Sequence, residues 1–242
     1  MPLIQADAMQ GEWRTIVEMS RDQTAMSEIL NGDDTHSLNQ AAFNLPSRLI
    51  AKIYLFRTIF RGSGYSFSVD PDFMHVSSSS KFWDEVNEKF FKKYSGIDKQ
   101  HKLWADIVLH GKPIVGPLGR EWMVPMKTGA FGHDFKIPWT TLTNYPVQGT
   151  FADVMMIARI SAFRRVKASG LPVLFRSTVH DSLVLDCPSE LVQEVANMMY
   201  SVFDDVPKNI RKLFGYDWVV PMPCEVKVGP NLKETEKVLD TR

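Results

Sequence analysis

Two aspartates stand where packing gives a carboxylate no reason to be. Asp7 ends an apolar strand, Leu3-Ile4-Gln5-Ala6. Asp181 sits with His180 at the tip of a hairpin whose arms, Val173 to Val179 and Leu183 to Cys187, are apolar and β-branched. If the two strands are neighbours, both acids project from one end of a sheet. Paired carboxylates on rigid strands suit two-metal phosphoryl transfer, where hard cations ~3.5–4 Å apart neutralise the attacking and leaving oxygens. Taken singly, each reads as a structural turn acid.

A helix from about Arg48 to Phe60 carries the second constellation. At ~100° per residue, Arg48, Lys52, Leu55, Phe56 and Ile59 share one face, while Arg57 and Arg61 fall nearly opposite. An apolar stripe interrupted by cations four residues apart is poor core design but suits a triphosphate, with the aromatic ring stacking on sugar or base. Snorkelling cations beside a packed helix are the alternative. His180, Asp181 and Ser182 cannot form a serine triad, because adjacent hairpin residues do not align as nucleophile, base and orienter, and no glycine elbow is present. No histidine pair has HExxH or HxxxH spacing.

The elements that must position these groups belong to a chain of ordinary globular composition. It has 242 residues, 44% apolar and 23% charged, with 28 Lys plus Arg balancing 28 Asp plus Glu. Neutrality argues against a dedicated nucleic-acid binder. Yet five basic residues between Val154 and Val179 (Arg159, Arg164, Arg165, Lys167, Arg176) meet no acid, and the acids gather from Asp186 to Val206. Such separation makes either a basic face or scattered solvated charges. No run is long and apolar enough for a membrane span, and the early Asp7 excludes a signal peptide, so the chain reads as cytoplasmic. Cys187 and Cys224 are too few for a disulfide framework or zinc site.

The pattern predicts helices over Glu12–Ser20, Thr35–Asn44, Arg48–Phe60 (opened by Pro46-Ser47), Lys81–Tyr94 and Lys102–His110. Phe82, Val86, Phe90 and Phe91 should face inward. Residues 112 to 140 are turn-rich. A helix over Thr150–Lys167 has Thr150 and Asp153 at capping-box spacing, another follows Ser189 as cap, and Val219 to Val228 reads as a last strand. Strands at both ends around a helical insertion predict one α/β platform carrying a helical lobe.

Taken in order, these segments resemble the polymerase motifs of family A (DNA polymerase I-like) DNA polymerases. Ala6-Asp-Ala-Met-Gln-Gly-Glu-Trp-Arg14 resembles D-Y-S-Q-I-E-L-R, and Arg48 to Lys52 with Phe56 and Phe60 resembles the fingers pattern R-x-x-x-K-x-x-x-F/Y-G-x-x-Y-G. Gly119-Arg120 with Pro125, Asn144-Tyr-Pro-Val-Gln-Gly-Thr150 with Asp153, Val179-His-Asp181 and Val226-Lys-Val-Gly229 match later motifs, so the resemblance spans nearly the whole chain. It implies an α+β fold, an antiparallel palm sheet with packed helices and an inserted, mainly helical fingers lobe. Residues 1–22 and 140–242 would be palm and 23–139 fingers.

The resemblance also implies roles. Asp7 and Asp181 would hold two Mg²⁺ ions, and Arg48 and Lys52 the deoxynucleoside triphosphate, with Lys52 protonating the departing pyrophosphate. Gln10 and His36 would line the nucleotide site, Glu12 would be the steric gate against a 2′-hydroxyl, and Phe56 would pack on the sugar. Phe60, Asn144, Gln148 and His180 would contact primer-template DNA, and Arg57 and Arg61, replacing the two glycines of the fingers pattern, would add backbone contacts. Ala8, Met9 and Gly11 depart from the usual Tyr, Ser and Ile, and Ser182 from the usual Glu. The thumb, the rest of the palm and any exonuclease would lie upstream of this chain. The expectation is therefore a phage-type split polymerase completed by a separate N-terminal polypeptide, whose strands would cover an apolar edge beside the first strand. A non-catalytic nucleic-acid-binding remnant is the alternative, and Glu12 disfavours a single-subunit RNA polymerase.

Overall fold

The computed structural model describes residues 1–128 and 135–242. Strand β1 (Leu3–Ala8) turns into α1 (Gly11–Ser20), followed by α2 (Gln23–Leu30), α3 (Thr35–Phe43), α4 (Arg48–Thr58), α5 (Gly64–Ser68), α6 (Ser80–Lys93) and α7 (Ser95–Leu109). Two short antiparallel pairs, β2 (Ile114–Val115) with β3 (Glu121–Trp122) and β4 (Lys127–Thr128) with β5 (Phe135–Lys136), precede α8 (Trp139–Ser169). Then come β6 (Leu174–Val179), β7 (Ser182–Asp186), a 3₁₀ turn (Ser189–Leu191), α9 (Val192–Asp204), α10 (Val206–Phe214), β8 (Cys224–Gly229) and β9 (Glu236–Val238). Met1–Arg14 with Phe151–Arg242 form one compact unit, and Thr15–Thr150 the other.

In the first unit the strands run antiparallel in the order β6-β7-β1-β8-β9. Alternation along β1 buries Ile4, Ala6 and Ala8 on one face and leaves Leu3, Gln5 and Asp7 half-buried on the other. Helix α9 packs against β1 and β8 with Val195, Met199 and Val202 fully buried. The expectation that β1 needs strands from elsewhere is overturned: it is the middle strand, paired on both sides. The edge strands are β6 and β9, and on β6 Leu174 and Val179 are exposed. Strand β6 flanks a cleft of ≈ 500 Å³ against α8 that includes Ile160 and Phe163. The charge separation seen along the chain also partly closes in space, since Arg165 pairs with Asp205 and Arg176 with Asp186.

Several local readings are corrected. Helix α8 does not start at a Thr150 cap but runs through Pro146 and Thr150, which is buried mid-helix. Its Pro and Gly suggest a turn, yet Gly149 is there because a Cβ would sit 2.6 Å from the Trp122 ring, and Gly116 is equally tight against that ring. Ser189 opens the 3₁₀ turn, and α9 has no side-chain cap. The last strand is shorter than Val219–Val228, and β9, α2, α5 and α10 were not foreseen. Part of the turn-rich stretch expected over 112 to 140 lies outside the described residues.

In the second unit, side-chain caps start the helices. Ser47 accepts from the Ile50 N–H at 3.2 Å and Ser79 from the Phe82 N–H at 3.3 Å. Asp22 serves two helices: Oδ1 accepts the Ala25 N–H at 2.9 Å for α2, and Oδ2 the Gly96 N–H at 2.6 Å in the first turn of α7. A Cβ on Gly96 would come 2.8 Å from Asp22, so only glycine admits that approach. The core is aromatic, with Tyr54, Phe67, Phe73, Trp83 and Phe90 fully buried. Trp83 and Phe67, 5.4 Å apart at their centroids, form its centre. Phe82 and Phe91, expected inside, are only half-buried, because Trp83 takes the inward position.

Candidate active site

The antiparallel register sets Asp7 opposite Ser182 on β7 and Glu225 on β8. Asp181 occupies the two-residue turn just before Ser182, and its carbonyl accepts the Ala8 N–H at 2.9 Å. The strands are therefore neighbours, and both carboxylates come to one end of the sheet. The backbone beside each acid is strained: His180 has φ +51° and Gln10 has φ +55°. That left-handed region costs a residue with a Cβ about 1–2 kcal/mol.

Asp7 Oδ1 is buried with no hydrogen-bond partner among the described residues. Burial, then the charge of Asp181, pushes the Asp7 carboxyl up to about 6, partly offset by Lys227. An unsatisfied carboxylate oxygen beside a second acid fits Mg²⁺, which is commonly held by one or two carboxylates plus water and substrate oxygens. No group of three or more His, Cys, Asp or Glu suited to a metal occurs among the described residues, and Asp7 with Asp181 offers two carboxylate ligands. Ser182 adds none, because its buried hydroxyl donates to the Val179 carbonyl at 2.9 Å. Glu12 lies half-buried in the first turn of α1. The neighbouring Gly11 has no room for a side chain, since a Cβ would fall 2.0 Å from the Phe151 ring.

In the helical unit α4 divides its residues as its periodicity requires. Ile50, Ala51, Tyr54, Leu55 and Thr58 are buried, whereas Arg48 and Lys52 are exposed and Phe56 is half-exposed. His36, at the start of α3, is buried with its ring 6.3 Å from that of Phe56. Burial, with the charges of Arg48 and then Lys52, lowers its pKa to about 4, so it is neutral near pH 7. Arg48 grips Asp34, with Nε donating to Oδ2 at 2.6 Å and Nη2 to Oδ1 at 3.0 Å. Lys52 pairs with no acid among the described residues. His36, Arg48, Lys52 and Phe56 are thus brought together.

Arg57 and Arg61 are not part of that group. Arg57 pairs with Asp70 and Asp72 beside the Phe73 ring. Arg61 pairs with Asp98 at 2.5 Å, donates to His101 Nδ1 at 3.0 Å and lies 4.0 Å from the Phe91 ring centre. Both guanidiniums are thus engaged by acids of the lobe. Phe60 is half-buried in the turn after α4. Asn144 and Gln148, four residues apart, share one face of α8, and His180 is exposed on its hairpin.

The fold is that of a polymerase domain. The POL domain of Pol1 from M. smegmatis, in complex with DNA primer-template and dNTP, superposes with a TM-score of 0.79 at 21% identity, covering 96% of this chain and 40% of that one. A model of DNA polymerase family A matches residues 1–234, and the chain belongs to that family. It is 23% identical over 239 residues to DNA polymerase I of Chloroflexus aurantiacus, covering 96% of this chain and 24% of that protein. It is 26% identical over 234 residues to the thermostable DNA polymerase I of Thermus filiformis, covering 90% and 27%. With the DNA polymerase of Bacillus phage SP01 it shares 33% identity over 88 residues, 36% of this chain and 9% of that one. The chain spans about a quarter of the length of the two bacterial relatives.

Two contributors escaped the sequence reading. Asp34 looked like part of a turn, and only its Ser/Thr/Asp-type position just before Thr35 marked it as a cap. Lys227, two residues along β8 from Glu225, bears on Asp7 through cross-strand register that no local pattern reveals.

Proposed function

We propose that this chain is the catalytic C-terminal part of a DNA-directed DNA polymerase, adding deoxynucleotides to a primer 3′-hydroxyl against a template. The observation that carries this reading is the pair Asp7 and Asp181 at one sheet end, one with an unsatisfied buried oxygen, in a family A chain. Asp7 and Asp181 would hold two Mg²⁺ ions, whose chemistry would be to lower the pKa of the primer hydroxyl and to neutralise the triphosphate. Arg48 and Lys52 bind the phosphates, and Lys52 gives its proton to the departing pyrophosphate. Neutral His36 lies by the phosphates as a hydrogen-bonding group, Gln10 lines the nucleotide site, Phe56 packs on the sugar, and Glu12 excludes a 2′-hydroxyl. Phe60 stands near the templating base, while Asn144, Gln148 and His180 contact the primer-template end, where minor-groove acceptors are common to correct pairs.

Residues 1–22 and 140–242 act as palm and 23–139 as fingers, in the cytoplasm. A separate N-terminal polypeptide supplies the thumb and the remaining palm. The exposed Leu174 and Val179 on the edge strand β6 support that part of the reading. Ser182, turned into its hairpin in place of the family's usual Glu, favours the second reading, a non-catalytic remnant. Primer extension by the chain together with the polypeptide that completes it, with Mg²⁺, separates the two. Extension should vanish, by at least about 10³-fold, in Asp7→Ala and Asp181→Ala. Equal extension by wild type and variants would sink the polymerase reading.

A further inference from the structure

Arg48 has five N–H donors, and the structure divides them. Nε–H and one Nη2–H are taken side-on by Asp34, at 2.6 and 3.0 Å. The two Nη1 protons and the outer Nη2 proton form the end-on edge of the guanidinium, a fork suited to phosphate oxygens. Asp34 is itself fixed by two further donors: the His36 backbone N–H reaches Oδ1 at 3.2 Å and the Ser37 hydroxyl reaches Oδ2 at 2.7 Å. It caps α3 by its side chain while Arg48 opens α4, so one carboxylate ties the starts of both helices.

We propose that Asp34 is a positioning residue for the triphosphate site, holding Arg48 side-on so that its end-on fork is presented to the nucleotide phosphates. This rests on the nucleotide-binding reading of Arg48 and Lys52. An arginine more than half exposed, as Arg48 is at 56%, would otherwise sample many rotamers and lose that freedom on binding. Pre-orientation by a fixed carboxylate removes part of that loss before the ligand arrives. Arg48 also holds the Asp34 carboxyl well below the usual range, so the grip does not depend on pH near neutrality. The backbone cap to His36 places that residue in the same arrangement.

The variant that isolates this role is Asp34→Asn, because Asn caps a helix as well as Asp and its amide group can still meet the Ser37 hydroxyl, while the charged grip on Arg48 is lost. Affinity of the full chain for dATP with Mg²⁺, in the absence of primer, is measured by calorimetry, together with the melting temperature. Asp34→Asn should bind about two- to fivefold more weakly, the scale of an exposed ion pair, with unchanged melting. In an Arg48→Ala background the same change should have no further effect, a result that a purely structural cap would not give. Unchanged or tighter binding in Asp34→Asn, or an equal loss in the Arg48→Ala background, overturns the proposal. If Arg48→Ala and Lys52→Ala themselves leave dATP affinity untouched, both the nucleotide-site reading and this proposal fall. If those two weaken binding and Asp34→Asn does not, the positioning role alone is wrong.

Discussion

Four cations issue from one helix and the turn that follows it, and their surroundings divide them. Arg57 and Arg61 are paired with acids, laid beside aromatic rings and partly buried, so their charge is spent holding the helical lobe together. Arg48 and Lys52 look outward; one is held by a capping aspartate and the other by no acid among the described residues. The same residue types four positions apart thus serve stability on one face and remain available to an anion on the other. What separates them is the neighbourhood of acids and rings, which the helix periodicity alone does not give.

That contrast can be broken most sharply at Lys52. If it is the proton donor to pyrophosphate, Lys52→Ala in the assembled enzyme should lower the single-turnover extension rate about 10²–10⁴-fold while melting stays unchanged. Wild-type turnover would remove Lys52 from the chemistry. A smaller effect of opposite character is expected at Arg61. Arg61→Met keeps the stem over Phe91 but strips the charge from Asp98 and His101, and should lower stability by about 2 kcal/mol in chemical denaturation without altering dATP affinity per folded molecule. Weakened nucleotide binding at full stability would erase the division between the two faces.

The mildest test uses pH. Burial, then the charge of Arg61, holds His101 down to about 3, so the folded protein refuses a proton that the unfolded chain accepts below about 6.5. Its contribution is complete above that unfolded value and is lost as pH falls toward 3. His36, held to about 4, acts in the same sense. Denaturant melts should therefore show stability falling from pH 7 to pH 5, by at most about 1.4 kcal/mol per pH unit for each histidine. A flat or rising profile over that window would contradict the buried, neutral assignment of His101.

What the sequence made readable was whatever local chemistry controls. The Ser47 cap, the first strand and the two-residue hairpin at His180-Asp181 follow from residue types within a few positions; the cap and the hairpin appear at the expected places, and the strand runs one residue past Asp7 to Ala8. The closeness of the two aspartates needed only that two strands be neighbours. The start of α8 was hidden because Pro146 and Gly149 look like turn residues until the Trp122 ring that demands a glycine is in view. The position of the open edge was misplaced because strand order is a property of the whole sheet: β1 was expected to be incomplete and proved central. The fate of Arg57, the grip of Asp34 on Arg48 and the Lys227 influence on Asp7 all depend on partners more than ten residues away.

Asp22 carries a consequence for how the helical lobe opens. Its two oxygens are divided between the starts of α2 and α7, segments more than seventy residues apart in the chain. Fraying of either start leaves the carboxylate half-engaged and loosens its hold on the other, and the glycine at 96 fixes their closeness through backbone contact. The beginnings of these two helices therefore form a single cooperative opening unit, in which remote stretches of sequence gain and lose protection from solvent together.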